Sequence, residues 1–226
     1  MAQSPQYDRE PPAQERRNYT DRMNQAYTRF AGLYAWAVRS LPVWKTWLRA
    51  VLPHIVGPRV LEASFGTGYL LTQYADRFEV SGIDYNERMV LIAGRELERK
   101  GLQADLFQAD VANLPFQESF FDCIVNTMAF SGYPDGNQAM SEFRRVLRNG
   151  GRLLILDFDF PENGNCAGWS LTRLMQRSGD IIRDLRPLLA QHGFAFENRV
   201  IGGFGSVQLF IAHRGRLRIS PRAVHR

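Results

Sequence analysis

Between residues 62 and 110 of this chain, glycines in a turn are followed by carboxylates at the ends of apolar segments. An apolar segment over 59–63 enters the small-residue turn Ser64-Phe65-Gly66-Thr67-Gly68, and a second apolar segment ends in Gly82-Ile83-Asp84. An apolar strand that enters such a turn, followed by a strand that ends in a carboxylate, is how an α/β domain builds a nucleoside pocket. The order therefore predicts a nucleoside site at one edge of a sheet.

Asp84 has the clearest chemistry in this series. Its two oxygens suit the two hydroxyls of a ribose, and each charge-assisted hydrogen bond contributes roughly 1.5–3 kcal/mol. The alternative is that Asp84 caps the helix that begins near Asn86, although Asn86 is itself an adequate cap. Tyr85 and Met89 would offer apolar surface to the base, unless Met89 is ordinary core. We predict that Asp84 binds ribose.

The spacing of the glycines argues against a nicotinamide cofactor. A loop of the form G-x-G-x-x-G would need glycine where this chain has Tyr69 or Leu71. A glycine turn after a strand is a weak signal when taken alone. The acids that follow it in order, ending with Asp110, strengthen the prediction.

Strand and helix patterns alternate through the rest of the chain. Strands are predicted near 59–63, 79–84, 104–109, 120–126, 152–158, 194–200 and 206–213, and helices near 68–76, 86–100, 136–148 and 174–192. Several strands are continuously apolar, as expected for central parallel strands covered on both faces. The connection Gly202-Gly203-Phe204-Gly205 is too short for a parallel crossover and predicts an antiparallel hairpin. The predicted fold class is a doubly wound, mostly parallel α/β sheet of seven strands.

The chain changes character before the first strand. Residues 1–18 are rich in Gln, Pro and charge and are predicted to be disordered. Over 19–53, helical spacing predicts two amphipathic helices, with apolar faces formed by Met23, Tyr27, Phe30, Tyr34, Ala37 and Leu41, and by Trp44, Trp47, Leu48, Val51 and Leu52. The main domain is predicted to span 54–213, followed by a basic tail over 214–226.

The composition favours one such domain. Of the 226 residues 45% are hydrophobic, and no run approaches the ~18 apolar residues of a membrane span. No apolar signal segment opens the chain, so a cytoplasmic protein is expected. Cys123 and Cys166 lie in unrelated contexts without metal-ligand spacing, so reduced thiols and no metal are expected.

The net charge of +5 comes from the tail. Five arginines and no acid lie within 214–226, which leaves residues 1–213 without net charge. A domain without a basic face argues against nucleic acid as the substrate. The tail alone could touch anionic lipid or nucleic acid, or be a solvated end.

Glu62, Ser64, Gly66 and Gly68 fill the acidic and glycine positions of a known first motif, and the chain over 27–214 resembles the class I S-adenosylmethionine-dependent methyltransferases. The resemblance is to the branch with ubiquinone/menaquinone-biosynthesis and phospholipid N-methyltransferases. Glycine is wanted there because a missing Cβ permits positive φ and lets the methionine end of the cofactor approach the backbone. Ser64 departs from that pattern and raises the question of weaker cofactor binding.

The resemblance implies an S-adenosylmethionine site that extends beyond the first motif. Asp110 resembles the acid that reads the adenine amine, while the Val111 amide donates to the ring; the alternative for Asp110 is an Asx turn. Asn126 lies where the fourth strand opens toward the methionine end. In this family the last strand runs antiparallel between the fifth and sixth, in agreement with the hairpin.

The residues after the fourth strand limit the classes of methyl acceptor that are expected. At this position, methyltransferases of this fold that act on planar amines resemble one another by sharing the tetrapeptide Asn-Pro-Pro-Tyr or a similar one. This chain has Asn126-Thr127-Met128-Ala129 instead, so methylation of a nucleic-acid base or of glutamine is not expected. The resemblance implies methyl transfer to a small apolar, aromatic or lipid-like acceptor. The alternative is a catalytically silent S-adenosylmethionine-binding regulatory or scaffold protein, suggested by Ser64, by Ala35 and by the lack of an obvious base. No catalytic residue is assigned; titratable candidates near the site by sequence are Tyr133, Asp157, Asp159 and His192.

The segment 27–35 resembles the lid of the family, with Ala35 in place of an acid. With Trp44 and Trp47 nearby, one interpretation is an apolar lid over the acceptor, and the other is the packed face of a helix. Weak contact of this segment with a membrane surface is a further hypothesis.

Overall fold

A computed structural model describes residues 5–22, 25 and 42–215. Its centre is a seven-stranded sheet in the order β3-β2-β1-β4-β5-β7-β6. The strands are β1 (Arg59–Ala63), β2 (Glu79–Asp84), β3 (Asp105–Gln108), β4 (Phe121–Thr127), β5 (Leu147–Phe158), β6 (Phe194–Gly202) and β7 (Val207–Arg214). β1 to β5 pair in parallel, and β7 runs antiparallel to both β5 and β6. The predicted fold class is confirmed.

Helices cover the sheet. The helical residues 13–22 form α1, followed by α2 (Pro42–Arg49), α3 (Glu87–Arg99), α4 (Gly136–Val146), α5 (Cys166–Ser178) and α6 (Leu185–Gln191). Short 3₁₀ turns lie at 52–54, 71–73, 130–132 and 203–205. Within the described ranges, no helix is both long and apolar enough to cross a membrane.

Alternate residues of the central strands pack on opposite faces of the sheet. In β1, Val60 belongs to one buried apolar cluster and Leu61 to the other, and in β5 Leu154 and Leu153 divide in the same way. A strand covered on both faces needs apolar residues at every position, because successive side chains point to opposite sides. The continuous apolar runs therefore follow from the two-sided core.

The C-terminal hairpin forms as predicted. β6 and β7 are joined by the 3₁₀ turn at 203–205, in which Gly203 and Gly205 have positive φ. Because β7 inserts between β5 and β6, the last strand along the chain lies inside the sheet rather than at its edge. Arg214, assigned to the tail from sequence, ends β7 and donates a hydrogen bond to the hydroxyl of Ser119.

Two predicted helices were wrong. The segment 68–76 contains only the 3₁₀ turn Leu71–Gln73, because Gly68 has φ of +74° and holds the chain in a turn where an α-helix would start. The segment 174–192 is divided between α5 and α6. Gly179, with φ of +116°, ends α5, and Asp184 caps α6.

The remaining helical boundaries shift slightly. α3 lies within its predicted limits, whereas α4 ends at Val146 and the long strand β5 begins at Leu147, five residues before the predicted strand. The face from Met23 to Leu41 and the residues 216–226 lie outside the described residues.

The N-terminal segment differs from the expectation of disorder over residues 5–18. The amide of Asp8 donates to the carbonyl of Ile182 at 2.8 Å, and the amide of Ile182 donates to the Asp8 carboxylate at 2.9 Å. The ring of Tyr7 packs edge-on against Phe160 at 5.4 Å. These contacts are with residues far away in the sequence, so composition alone does not reveal them.

Candidate functional site

A cavity of about 490 Å³ opens at the carboxyl ends of β1, β2 and β4. This is the edge of an open α/β sheet where ligands bind, because the strand order reverses there. The predicted site residues that line the cavity are Glu62, Ser64, Gly66, Asp84, Tyr85, Asp110 and Val111. The structure thus brings together seven of the nine residues that were predicted to bind the cofactor.

Asp84 is held at the end of β2 by backbone amides. Gly66 donates to Oδ2 and Asn86 donates to Oδ1, both at 2.9 Å. Asn86 caps α3 by accepting the amides of Arg88 and Met89, so the capping alternative for Asp84 is wrong. Burial raises the pKa of Asp84, and the two amide hydrogen bonds oppose that rise.

The geometry of Asp84 fits a ribose. A carboxylate oxygen has two lone pairs, and each Asp84 oxygen uses one of them on an amide. The side chain lines the cavity although its residue is only 8% exposed. A buried carboxylate with remaining acceptor capacity therefore faces the cavity, which suits a ligand with two neighbouring hydroxyls.

The next positions along the edge lie beside β3. Tyr85 is exposed on the cavity wall, whereas Met89 is 2% exposed and belongs mainly to the core, although it also lines the cavity. Asp110 is exposed and its Oδ1 accepts the amide of Ala112 at 2.9 Å, which is an Asx turn. Both interpretations of Asp110 remain compatible with this geometry, because the turn uses only one of its oxygens.

Glu62 is a buried acid on the cavity wall. It is 1% exposed, and the hydroxyl of Tyr74 donates to its Oε2 at 2.6 Å. Burial raises the pKa of Glu62 to about 8, with a smaller contribution from the charge of Asp84, while the Tyr74 hydrogen bond acts in the opposite direction. At neutral pH the side chain is mostly protonated and acts as a neutral polar group.

Two predicted site residues lie away from the cavity lining. A Cβ on Gly68 would stand 2.7 Å from the Cβ of Ala93, so this glycine permits close packing of the turn on α3. Asn126 is fully buried and its Nδ2 donates to the carbonyl of Ala63 at 3.0 Å and to the hydroxyl of Tyr133 at 2.8 Å. Both residues support the wall of the cavity from behind.

Tyr133 is a site residue that the sequence did not assign. Its hydroxyl lies 2.7 Å from the hydroxyl of Ser64, and both side chains line the cavity. Burial is the main cause that raises the pKa of Tyr133 far above its ordinary value. The phenol therefore remains protonated and is unsuited to act as a base. The sequence named Tyr133 only as a titratable candidate near the site, since its exact position depends on the turn at 130–132.

The other candidates named from sequence do not line the cavity. Asp157 accepts the amide of Ser131 at 2.8 Å, and Asp159 forms an ion pair with Arg186 at 3.0 Å. His192 lies 3.2 Å from the side-chain oxygen of Asn137. All three side chains contact other residues of the domain outside the cavity lining. Across the described ranges, no cluster of three His, Cys, Asp or Glu side chains is suited to hold a metal.

The opposite side of the cavity comes from the N-terminal segment and from the loop after β4. Trp44 and Leu48 of α2 and the loop residue Met128 form an apolar patch there, beside the charged side chains of Arg17 and Asp21. Arg16 of α1 also lines the cavity and forms an ion pair with Asp135. The sequence missed α1 because only the fold brings it to this edge.

Arg183 connects this N-terminal segment to the loop that carries Tyr133. Its buried guanidinium donates to the carbonyls of Phe130, at 3.3 Å, and Tyr133. It also lies 3.7 Å from the carboxylate of Glu10. Residues 5–12 thereby support the loop from outside the cavity.

Comparison with known proteins finds similarity to methyltransferases. Residues 60–151 match a family described as a methyltransferase domain. A demethylmenaquinone methyltransferase of Thermus thermophilus is 38% identical over 109 residues, which cover 47% of this chain and 50% of the relative. A phosphatidylethanolamine N-methyltransferase of Cereibacter sphaeroides is 35% identical over 113 residues, covering 49% and 56%.

A solved structure supports the fold. The S-adenosylmethionine-dependent methyltransferase from Aquifex aeolicus has a TM-score of 0.56 and 19% identity, covering 74% of this chain and 89% of that chain. The resemblance to the class I S-adenosylmethionine-dependent methyltransferases that the sequence predicted is confirmed. The curated relatives named above and others of this similarity are ubiquinone/menaquinone-biosynthesis and phosphatidylethanolamine methyltransferases, the branch that the sequence analysis named. The chain spans about half the length of the curated relatives it matches.

Proposed function

We propose that this protein binds S-adenosylmethionine across the carboxyl ends of β3, β2, β1 and β4. The observation that carries the proposal is Asp84, a buried carboxylate with unused lone pairs on the cavity wall. With ribose on Asp84, adenine extends toward Tyr85, Asp110 and Val111 near β3. The methionine end then extends in the other direction, toward Glu62 and the end of β1. The strand order supports this orientation.

The reaction proposed is methyl transfer to a small apolar, aromatic or lipid-like acceptor. When bound, S-adenosylmethionine supplies an electrophilic methyl group on a sulfonium, whose positive charge disperses during transfer. The tasks of the protein are therefore alignment of the two reactants and exclusion of water. Trp44, Leu48 and Met128 provide an apolar surface for both tasks. The protonated Tyr133 does not remove a proton from the acceptor.

The apolar patch of Trp44, Leu48 and Met128 and the names of the relatives support a quinone-like or lipid-like acceptor. One relative is named for demethylmenaquinone and another for phosphatidylethanolamine. Contact with a membrane surface, expected from the lid segment, would be tested by co-sedimentation with phospholipid vesicles. Absence of binding would count against it.

A second candidate is a catalytically silent S-adenosylmethionine-binding protein. Two observations favour it: Ser64 has a φ of +59°, and Tyr133 is unsuited to be a base. Such a protein would bind the nucleoside as proposed but transfer no methyl group to any acceptor.

The experiment is a calorimetric titration with S-adenosylmethionine and S-adenosylhomocysteine. Asp84→Ala removes the proposed ribose contacts, so a loss of affinity of at least about 100-fold is expected. Asp105→Ala is the control, because Asp105 is an exposed acid on β3 away from this cavity. Equal affinity of Asp84→Ala and wild type would contradict the proposed site.

Methyl transfer is then measured with methyl-labelled S-adenosylmethionine. The acceptors are a reduced naphthoquinone with an isoprenoid tail and vesicles of phosphatidylethanolamine. Labelled product from either acceptor supports the proposal that the protein is an active methyltransferase. Nucleoside binding without transfer to these or other apolar acceptors supports the silent binding protein.

A further inference from the structure

The hydroxyls of Ser64 and Tyr133 form a pair whose hydrogen bonds can be counted. Their oxygens lie 2.7 Å apart, and Nδ2 of Asn126 donates to the Tyr133 oxygen at 2.8 Å. Nδ2 also donates to the carbonyl of Ala63, which fixes the orientation of the amide. Tyr133 therefore receives one N–H from Asn126 and shares one further hydrogen bond with Ser64.

In this arrangement one of the two hydroxyl protons is not used in the hydrogen bond between Ser64 and Tyr133. The two hydroxyls carry two protons, and the bond between them uses one. The other has no protein acceptor among the described contacts of the pair. Tyr133 is only 8% exposed, whereas Ser64 is partly exposed on the cavity wall. The favoured arrangement is a chain in which Asn126 donates to Tyr133, Tyr133 donates to Ser64, and Ser64 donates into the cavity.

Such a chain gives Ser64 a directed and strengthened donor. Hydrogen bonds in series polarise one another, most strongly where water is excluded. Ser64 lies directly after β1, and Asn126 lies near the end of β4. In the proposed orientation of the cofactor, the part beyond the ribose reaches this boundary. The sulfonium and ammonium there are cations, so the carboxylate is the group of the cofactor at that end that accepts hydrogen bonds.

We infer that Ser64 is a cofactor-binding residue whose hydroxyl, held by Tyr133 and Asn126, donates to the methionine carboxylate of the cofactor. This inference rests on the proposed function and deepens it. It reverses the concern raised by the sequence, because the serine in the glycine position strengthens binding of the amino-acid end.

The backbone conformation of Ser64 is further evidence that its side chain has a role, because a side chain at this position introduces strain. Its φ of +59° lies in the left-handed region, where glycine is favoured and a Cβ introduces strain. Ser119 has nearly the same φ of +58°, is exposed, and accepts a hydrogen bond from Arg214 away from the cavity. The two serines therefore form a matched pair for the same substitution.

The test compares two ligands by calorimetry. S-adenosylhomocysteine has the carboxylate, and decarboxylated S-adenosylhomocysteine keeps the ammonium and lacks it. Ser64→Gly removes the hydroxyl and the strain, whereas Ser64→Ala removes the hydroxyl and keeps the Cβ. Both variants are expected to bind S-adenosylhomocysteine about tenfold more weakly than wild type. Both are expected to bind the decarboxylated ligand within about twofold of wild type, and Ser119→Gly to match wild type with both ligands.

Three results would overturn the inference. Ser64→Gly with wild-type affinity for S-adenosylhomocysteine would mean that the hydroxyl does not serve the carboxylate, and an accompanying fall in transfer would assign it to an acceptor oxygen. An equal loss with both ligands would mean a general effect on the turn. Folded wild type that binds neither ligand would overturn the proposed function as well, whereas binding without methyl transfer would affect the proposed function alone.

Discussion

The cavity has two halves that are built in different ways. The strand-edge half consists of residues 62–66, 84–85 and 110–111, and the lid half consists of α1, α2 and residues 128–135. In the strand-edge half, the hydrogen bond between Gly66 and Asp84 joins residues that are 18 positions apart in the sequence. In the lid half, the hydrogen bond between Arg16 and Asp135 joins residues that are 119 positions apart. The first half is fixed by local turns at strand ends, and the second by the packing of distant segments.

The two halves also differ in what holds their charged groups. Asp84 is stabilised by two backbone amides, whose positions are set by the turn and by the start of α3. Arg16 depends on the side chains of Asp135 and Glu10, and it is partly exposed. A backbone donor is lost only on substitution by proline, whereas a side-chain partner is lost on many substitutions, so the contacts of Asp84 depend less on residue identity than those of Arg16.

The largest expected effect concerns Gly68 in the turn after β1. Gly68→Ala places a Cβ 2.7 Å from the Cβ of Ala93 and forces alanine to adopt φ of +74°. We expect a loss of about 2–4 kcal/mol in the free energy of unfolding, measured by denaturant titration. Gly101→Ala is the matched control, since its φ is +66° but nothing lies within 4 Å of its added Cβ.

That control is expected to lose about 1 kcal/mol from backbone strain alone. Equal losses in the two variants would show that contact with α3 is not what requires glycine at position 68. A small stability loss in Gly68→Ala together with abolished binding of S-adenosylhomocysteine would instead support the direct cofactor role first predicted for this glycine.

The sequence revealed the strand-edge half because its information is local. The apolar strand, the turn and Asp84 are adjacent or nearly so, and each residue type restricts the conformation by itself. It failed at 68–76, where the positive φ of Gly68 outweighs helical spacing. It named Tyr133 as near the site but gave it no role, because the contacts of this residue depend on a turn and on Asn126 behind it. Local patterns carry no information on such long-range contacts.

Much of the lid half was out of reach for the same reason. The composition of residues 1–18 is that of a disordered segment, yet Asp8 exchanges two hydrogen bonds with Ile182. Such bonds depend on the partner surface rather than on the segment. The predicted aromatic face at 27–35 lies outside the described residues and stays a prediction.

An intermediate effect is expected from Glu62, which connects the strand-edge half to the core. Its pKa of about 8 in the folded protein lies above the ordinary value of 4.5 because the side chain is buried. The folded state therefore keeps a proton that the unfolded state loses as the pH rises. Stability from this group is fully present below about pH 4 and is lost progressively up to about pH 8.

Glu62→Gln removes this titration while keeping an acceptor for the Tyr74 hydroxyl. From about pH 5 to about pH 8, wild type is expected to lose more than about 1 kcal/mol of unfolding free energy relative to the variant. The buried Asp157, whose pKa is also raised, contributes equally to both proteins and cancels in the difference, whereas the difference includes the smaller electrostatic coupling between Glu62 and Asp84. Parallel pH profiles from denaturant titration would show that Glu62 is ionised in the folded state.

The smallest expected effect is the ion pair between Arg16 and Asp135 in the lid half. Asp135→Asn keeps the helix cap, since an amide oxygen can still accept the amide of Gln138, but it removes the charge that holds α1. The pair is partly exposed, so a loss below about 1 kcal/mol is expected. That corresponds to tryptic cleavage after Arg17 about twofold to fivefold faster than in wild type, with the difference shrinking as salt is added. Glu197→Gln, which breaks an exposed pair on β6, is the control and is expected to leave cleavage unchanged. If Asp135→Asn is cleaved at the wild-type rate, α1 is held by its other contacts, such as that between Tyr19 and Gly179.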